Sequence, residues 1–330
     1  MKYYQEIEGK DRIICMLCQH YCKIKLDSVG ICGVNKNENG VLKTLVYGHP
    51  SALHIDPIEK KPIFHMLAGT KALSFGTVGC NFKCPFCQNW EISQEHKIDE
   101  SINISPKRMV ELAIENDVSS IAYTYNEPTI FYPYAKDIGT LAREQGIKNI
   151  FVTNGFESPE VVEDMRAWCE AANVDLKSWD EGYYKKVLKG GLEAVKSTLR
   201  KMVSLGIWVE VTTLLIEGDN DSDNDLREMA SFIANDLGAH VPWHLSAFHP
   251  DYKMQDHQYT TIRTLERASK IAKEAGLYYV YMGNVPTHAN TYCPDCGTLL
   301  IEREGFSIIQ NDMNADKCPN CNRVIEGIWK

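Results

Sequence analysis

Ala72-Leu73-Ser74-Phe75-Gly76-Thr77-Val78-Gly79 runs directly into Cys80-Asn81-Phe82-Lys83-Cys84-Pro85-Phe86-Cys87. The first stretch reads as a buried strand closed by glycine. The second sets three cysteines at CxxxCxxC spacing on a short loop, and three thiolates so close together suit a soft metal centre. A structural zinc ion wants four ligands, so three leave it one short. A [4Fe–4S] cluster held by three thiolates keeps one iron open for a ligand that the protein does not supply. The other readings are a zinc site completed from elsewhere in the chain, redox-active thiols, or chance, since half-sites of this kind serve many purposes.

Outward from this loop, apolar runs alternate with segments of helical spacing. Strands are expected at 71–78, 118–124, 148–153, 172–176, 208–215, 241–248 and 277–282, with helices near 106–116, 129–145, 158–170, 191–205, 223–236 and 260–275. Such repetition predicts an α/β fold with a parallel sheet and right-handed crossovers. The count is short of eight units, so a partial (β/α)6-type parallel barrel is expected rather than a closed one. Active sites of parallel barrels lie at the carboxyl ends of their strands, which places the cysteine loop at the mouth.

The other strand ends carry polar residues where that geometry needs them: Tyr123-Thr124-Tyr125-Asn126-Glu127-Pro128, Thr153-Asn154-Gly155, Asp175-Leu176-Lys177, Glu210-Val211-Thr212, and Trp243 to His249. Each has an ordinary alternative. Glu127 or Asp175 can cap the helix that follows, and Lys177 can be a surface charge.

Two further cysteine groups flank the barrel. Residues 1–70 form a cysteine-rich segment with Cys15, Cys18, Cys22 and Cys32, enough to close a metal site unaided; zinc is the default metal, and soft thiolates hold iron–sulfur equally well. Within it Val41 to Gly48 reads as a strand, and Asp56 to His65 as a charged, proline-containing loop leading towards the cluster strand. Residues 71–285 are the barrel. Residues 286–330 carry Cys293-Pro294-Asp295-Cys296 and Cys318-Pro319-Asn320-Cys321, two CxxC knuckles that predict a zinc ribbon, with rubredoxin-like iron as the other reading. Four protein thiolates leave no open position, which points to a structural role. Cys169 stands apart and reads as a buried structural thiol.

The composition narrows the class. Asp and Glu number 44 against 35 Lys and Arg, a net charge of −9, which argues against nucleic acid as the main partner. The stretch beginning Met1-Lys2-Tyr3-Tyr4 has no apolar core of a signal peptide, and no apolar run is long enough to span a bilayer. No membrane association and a cytoplasmic location are expected. Twelve cysteines then read as metal or catalytic ligands rather than disulfides.

The barrel region resembles the radical SAM enzymes, especially the activases of glycyl radical enzymes such as pyruvate formate-lyase. The whole chain is similar to the radical SAM component of the AmmeMemoRadiSam system. The similarity rests on Asp56-Pro57-Ile58-Glu59-Lys60-Lys61-Pro62, Gly79-Cys80-Asn81-Phe82, Cys87-Gln88-Asn89-Trp90, Thr124-Tyr125-Asn126-Glu127-Pro128-Thr129 and the terminal cysteine groups. It implies that Cys80, Cys84 and Cys87 ligate a [4Fe–4S] cluster whose open iron binds S-adenosylmethionine. It also implies that Phe86, Asn126, Glu127, Asn154, Lys177 and His249 hold that cofactor, with Phe86 near the adenine and Glu127 accepting from the methionine amino group. Reductive cleavage to a 5′-deoxyadenosyl radical, hydrogen abstraction from an unidentified substrate, and an electron donor such as flavodoxin or ferredoxin follow from the same resemblance. The family's glycine-glycine-glutamate stretch has Tyr125 and Asn126 in place of its glycines. Val152 stands where the activases have an acidic residue and Glu210 where they have a basic one, which weighs against a glycyl radical partner. The reading from another class is a non-catalytic metal-binding interaction protein, for which the set Glu127, Lys177 and His249 would serve no purpose.

Overall fold

The computed structural model describes residues 2–7 and 11–330; Met1 lies outside the described residues. Its centre is an eight-stranded sheet. The strands are β6 (Ala52–Pro57), β7 (Lys71–Gly76), β8 (Ser120–Tyr123), β9 (Lys148–Thr153), β10 (Ala171–Asp175), β11 (Trp208–Leu215), β12 (Trp243–Ala247) and β13 (Val280–Gly283). They lie side by side in chain order. β7 to β13 are parallel, and β6 adds antiparallel to the edge of β7. Because each new strand joins the same side, the sheet curls instead of winding in two directions. β6 and β13 do not pair, so it stays an open barrel. Both faces are covered, and β8 is buried along its whole length.

The connecting helices are α1 (Trp90–Ser93), α2 (Pro106–Glu115), α3 (Tyr132–Glu144), α4 (Pro159–Met165), α5 (Glu181–Tyr183), α6 (Leu192–Ser204), α7 (Asp223–Phe232) and α8 (Ile262–Glu274). Local chemistry starts several of them. Ser105, Ser158, Ser222 and Thr261 each accept a backbone N–H of the first turn, and Pro106 and Pro159 take the position where the missing N–H costs nothing. Gly146 and Gly206 follow α3 and α6 at φ +75 and +77, the left-handed turn that sends the chain back into β9 and β11. α4 stops at Met165, earlier than expected, and α7 runs on through a wider turn at Ile233–Gly238.

Strand side chains alternate between two environments. Leu73, Phe75, Ile121, Tyr123, Phe151, Val174 and Val211 belong to the main core with the helices. Ala72, Ala122, Ile150 and Ala171 face the inside, where the small volumes of the three alanines leave room for Ile58, Ile63 and Met66. The segment between β6 and β7 therefore fills the barrel from within. Pro62 O accepts from Asn173 Nδ2 at 2.7 Å, and Glu210 accepts the backbone N–H groups of Phe64 and His65 at 2.9 and 2.8 Å. What reads as a charged loop is an interior plug, and β6, which carries Asp56 and Pro57, is the edge strand leading into it.

The flanking segments are antiparallel. β1 (Tyr4–Glu6), β2 (Arg12–Cys15) and β3 (Lys23–Lys25) form one small sheet. β4 (Asn35–Glu38) and β5 (Val41–Thr44) form a hairpin, turned by Asn39 and Gly40 at φ +54 and +83. The strand expected at 41–48 is thus shorter and pairs with one the sequence did not announce. β14 (Thr291–Tyr292), β15 (Leu299–Glu304) and β16 (Ser307–Asn311) make up the C-terminal ribbon. The ribbon is fastened to the plug. Arg303 is fully buried, donates to Phe64 O at 2.9 Å and lies 4.0 Å from Glu59, while His65 contacts Glu326 O and Met66 bridges to Ile328.

Candidate functional site

A cavity of about 510 Å³ opens at the carboxyl ends of the barrel strands, above the plug. Cys80, Cys84 and Cys87 all line it, on the loop that leaves β7. Phe86, Asn126, Glu127, Asn154 and Lys177 line it too. His249 does not; it is half-buried beyond β12, and that end of the barrel presents Ser246 and Asn284 instead.

Burial pushes the Cys84 thiol up to about 12 and the Cys80 and Cys87 thiols upward as well. Such thiols ionise when a cationic centre replaces the lost hydration. The donor set fits a cluster with one open iron: three sulfurs converge on an open cavity, and the Phe82 N–H lies 3.4 Å from the Cys80 sulfur. Asn126 braces this loop. Its Nδ2 donates to Gly79 O at 2.8 Å and to Thr77 Oγ1, and its Oδ1 accepts from Thr77 N. Asn154 Nδ2 donates to Asn81 Oδ1 at 2.7 Å.

Tyr125 adopts φ +72, the left-handed conformation that glycine adopts freely. The strain is held by its own side chain. Tyr125 Oη donates to Asp56 Oδ2 at 2.7 Å, and the Lys61 ammonium sits 4.5 Å from its ring centroid. Burial alone would raise the Asp56 pKa; the bonds from Lys61, Tyr125 and Lys60 overcome it and hold the carboxylate well below its ordinary range. Lys60, Lys61 and Tyr125 also line the cavity, so the plug supplies part of the floor.

Glu127 both caps and faces the site. Its Oε1 accepts from Thr129 N at 3.0 Å and from the hydroxyls of Thr129 and Thr153, and its Oε2 accepts from Asn154 N at 2.8 Å. Glu157 shares both threonine hydroxyls and is equally buried. Burial first, and repulsion from Glu127 second, push the Glu157 carboxyl up to about 8. Burial pushes the Glu127 carboxyl up as well, and its donors, the Thr129 and Thr153 hydroxyls and the N–H groups of Thr129 and Asn154, work against that shift. Lys177 donates to Asp175 Oδ2 at 2.7 Å beside Phe86. Burial works against its ammonium, and Asp175 and Cys84 outweigh that, leaving its pKa above the ordinary lysine range.

Glu210 lies outside this cavity. It accepts from His244 Nε2 at 2.6 Å and from the plug, so it is spent on the barrel interior. Val152, by contrast, does line the cavity. Phe306 reaches the mouth from the turn between β15 and β16, a contact with no signature in the sequence. Glu157 and Asn89 were also missed; Asn89 Nδ2 donates to Tyr125 O at 2.8 Å.

In the ribbon, Cys293, Cys296, Cys318 and Cys321 bring their sulfurs within 4.8 Å of one another. The Cys293–Cys321 and Cys296–Cys318 pairs are 3.5 and 3.6 Å apart. Each knuckle closes with a left-handed residue, Gly297 in one and Asn322 in the other. Four thiols at this spacing suit the coordination of one metal ion. In the N-terminal segment Cys15, Cys18 and Cys32 are buried and Cys22 is half-buried, with Cys15 N bonded to Cys22 O at 2.9 Å. Among the described residues, no helix is long and apolar enough to cross a membrane.

A family model described as the Radical SAM superfamily matches residues 75–233. An uncharacterized protein of Methanocaldococcus jannaschii is 42% identical over 98% of both chains. The pyruvate formate-lyase-activating enzyme of Clostridium pasteurianum is 20% identical over 59% of this chain and 87% of its own. Among solved structures, Streptococcus suis SuiB bound to precursor peptide SuiA aligns with a TM-score of 0.52 at 14% identity, covering 69% of this chain and 51% of that one. A radical SAM methyltransferase from Sphaerobacter thermophilus aligns at 0.50 and 16%, covering 64% and 66%. At such identities these two structures bear on the fold alone.

Proposed function

The chain belongs to the Radical SAM superfamily and is a radical SAM enzyme with the α/β partial barrel of that group; from this premise we propose that it cleaves S-adenosylmethionine reductively and directs the resulting radical at one hydrogen of a substrate held in the barrel mouth. The observation that carries this reading is the convergence of three cysteines, Glu127 and the Lys177–Asp175 pair on one cavity. When bound, a [4Fe–4S] cluster and S-adenosylmethionine supply a 5′-deoxyadenosyl radical.

The residues divide the remaining work. Cys80, Cys84 and Cys87 hold the cluster, and Asn126 and Asn154 fix the loop that carries them. Glu127, charged and preorganised by its donors, accepts from the methionine amino group. Phe86 offers a face to the adenine, with Lys177 beside it. Tyr125, Lys60 and Lys61 form the side towards the plug, and Phe306 narrows the mouth against water, which a reactive radical requires. The four ribbon cysteines hold zinc. An external one-electron carrier of the ferredoxin or flavodoxin kind supplies the electron. The similarity to the radical SAM component of the AmmeMemoRadiSam system is the family placement we favour. Of the two residues that weigh against a glycyl radical partner, only Val152 bears on the cavity, since Glu210 is engaged below it.

The test is anaerobic reconstitution with iron and sulfide, reduction with dithionite, and measurement of 5′-deoxyadenosine. Product formation is expected. A protein that assembles its cluster fully yet yields no 5′-deoxyadenosine would overturn the proposal.

A further inference from the structure

We infer that Lys60 and Lys61 form a subsite for an anionic group, a carboxylate or a phosphate, on the substrate that enters the barrel mouth. The inference rests on the reading of this cavity as the substrate's, and it adds the chemical class of what enters.

The two lysines are adjacent in sequence, at the end of the short turn Ile58–Lys60 that leads from β6 into the plug. Neighbouring ammonium groups repel, and on a free loop they would point apart into water. Here both turn to one carboxylate. Lys60 Nζ donates to Asp56 Oδ1 at 3.0 Å, Lys61 Nζ donates to Asp56 Oδ2 at 2.6 Å, and Tyr125 Oη donates to the same Oδ2 at 2.7 Å. Asp56 is 6% exposed and Lys61 2%, so the cluster is built into the wall and is no chance surface contact. One carboxylate nevertheless answers two ammonium groups, which leaves a surplus of one positive charge. Donors are in surplus as well. An ammonium has three N–H bonds, and each lysine spends one of them on Asp56. The ring of Tyr125, 4.5 Å from Lys61 Nζ, steadies that cation without accepting a hydrogen bond in its plane.

Both lysines line the cavity. The other charged side chains that line it have their own partners. Lys177 donates to Asp175 at 2.7 Å, and Glu127 is the acceptor for the methionine amino group in the reading above. The surplus charge therefore lies on the plug side of the cavity, with spare N–H groups beside it. Water solvates that charge while the mouth is open. A substrate that fills the mouth expels the water, as shielding of a radical requires, and an ammonium buried without a counter-ion is costly. An anionic group on the substrate removes that cost and accepts two charge-assisted bonds. Lysines held from behind by Asp56 are in place before the substrate arrives, which lowers the cost of ordering them. The ordinary alternative is that the triad only fastens the plug to the edge strand. A single lysine suffices for that, and Lys61 is the buried one with the shorter bond. Lys60, half exposed, is the one that this alternative leaves unexplained.

The test uses the full chain with its cluster reconstituted, left oxidised and saturated with S-adenosylmethionine, so that the cofactor occupies its own part of the cavity and is not cleaved. Inorganic phosphate and succinate are titrated separately by calorimetry. At least one of them should bind at a single site per chain. Tighter binding of phosphate assigns a phosphorylated substrate, and tighter binding of succinate a carboxylate. Lys60→Gln should weaken that binding by about tenfold or more, and Lys60→Arg should restore it. Affinity for S-adenosylmethionine should be the same in all three proteins. Melting curves establish that the variants are folded, and phosphate soaked into wild-type crystals should lie within hydrogen-bond reach of both lysines. Absence of binding by both anions would overturn the inference. Unchanged binding by Lys60→Gln would overturn it too, since the anion would then sit elsewhere on the protein. Loss of S-adenosylmethionine in step with the anion would assign the lysines to the cofactor, and so would also overturn it. No cleavage enters this measurement, so a protein that binds the anion and forms no 5′-deoxyadenosine would break the proposed function alone.

Discussion

The cysteine loop at 80–87 and the ribbon knuckles at 293–321 offer a metal the same donor atom and give it different futures. The ribbon packs four sulfurs within 4.8 Å, a set that by itself fills the tetrahedron of one metal ion. The loop sets three sulfurs around an open cavity of about 510 Å³. Ligand count and spacing, more than ligand identity, separate a site that supports folding from one that does chemistry.

The largest effect should come from the loop. Cys80→Ala, Cys84→Ala or Cys87→Ala should each reduce 5′-deoxyadenosine formation to background, because no spare thiolate lines the cavity. Wild-type yield from any of them would erase the distinction between loop and ribbon. Cys296→Ala should instead lose zinc and lower the melting temperature by on the order of 10 °C, since metal binding energy is folding energy in such a module. Hydrogen exchange on that variant should show protection lost in 58–67 as well as in the ribbon, because Arg303 and Ile328 hold the plug. Loss confined to residues beyond 285 would mean the two are not coupled.

Glu127→Gln keeps the shape of the cap and removes the charge. A charge-assisted bond contributes about 1.5–3 kcal/mol, so affinity for S-adenosylmethionine, read by calorimetry on reconstituted protein, should fall about ten- to a hundredfold. An unchanged affinity would leave Glu127 only its capping role. Glu157→Gln concerns pH. The folded carboxyl titrates near 8 against an ordinary 4.5, so its contribution to stability is complete below 4.5 and is lost as pH rises through 8. The variant lacks this group. Its melting temperature relative to wild type should therefore rise by a few degrees across that window, and a flat difference would contradict a protonated Glu157. Smallest should be Tyr125→Phe, which removes one bond to Asp56 and costs about 1 kcal/mol in denaturant unfolding. No change would mean that the left-handed turn needs no anchor.

The parallel strands were legible because runs such as Ile121-Ala122-Tyr123 are buried on both faces and carry no polar interruption. β6 was not, since its exposed edge and its Asp56 and Pro57 look like a loop. The plug was hidden for a stronger reason. Asp56, Glu59 and Lys61 are buried, and their partners Tyr125 and Arg303 lie far along the chain, so no local pattern marks them. In the site, the cysteines could be read from spacing alone, and Glu127 from its place before Pro128, where its role as a cap could be read as well. Glu210 could not be placed, because alternation along β11 gives its face but not its depth, and depth decides between cavity and plug.

That plug has a consequence for the birth of the protein. Chains are made from the amino end at about 5–20 residues per second. Residues 58–66 leave the ribosome long before Arg303, Glu326 and Ile328, the groups that satisfy and cover them. For about 1–9 seconds the barrel has all its strands and an interior not yet latched. The ribbon, made last, is the part that closes over the plug, through Arg303, Glu326 and Ile328.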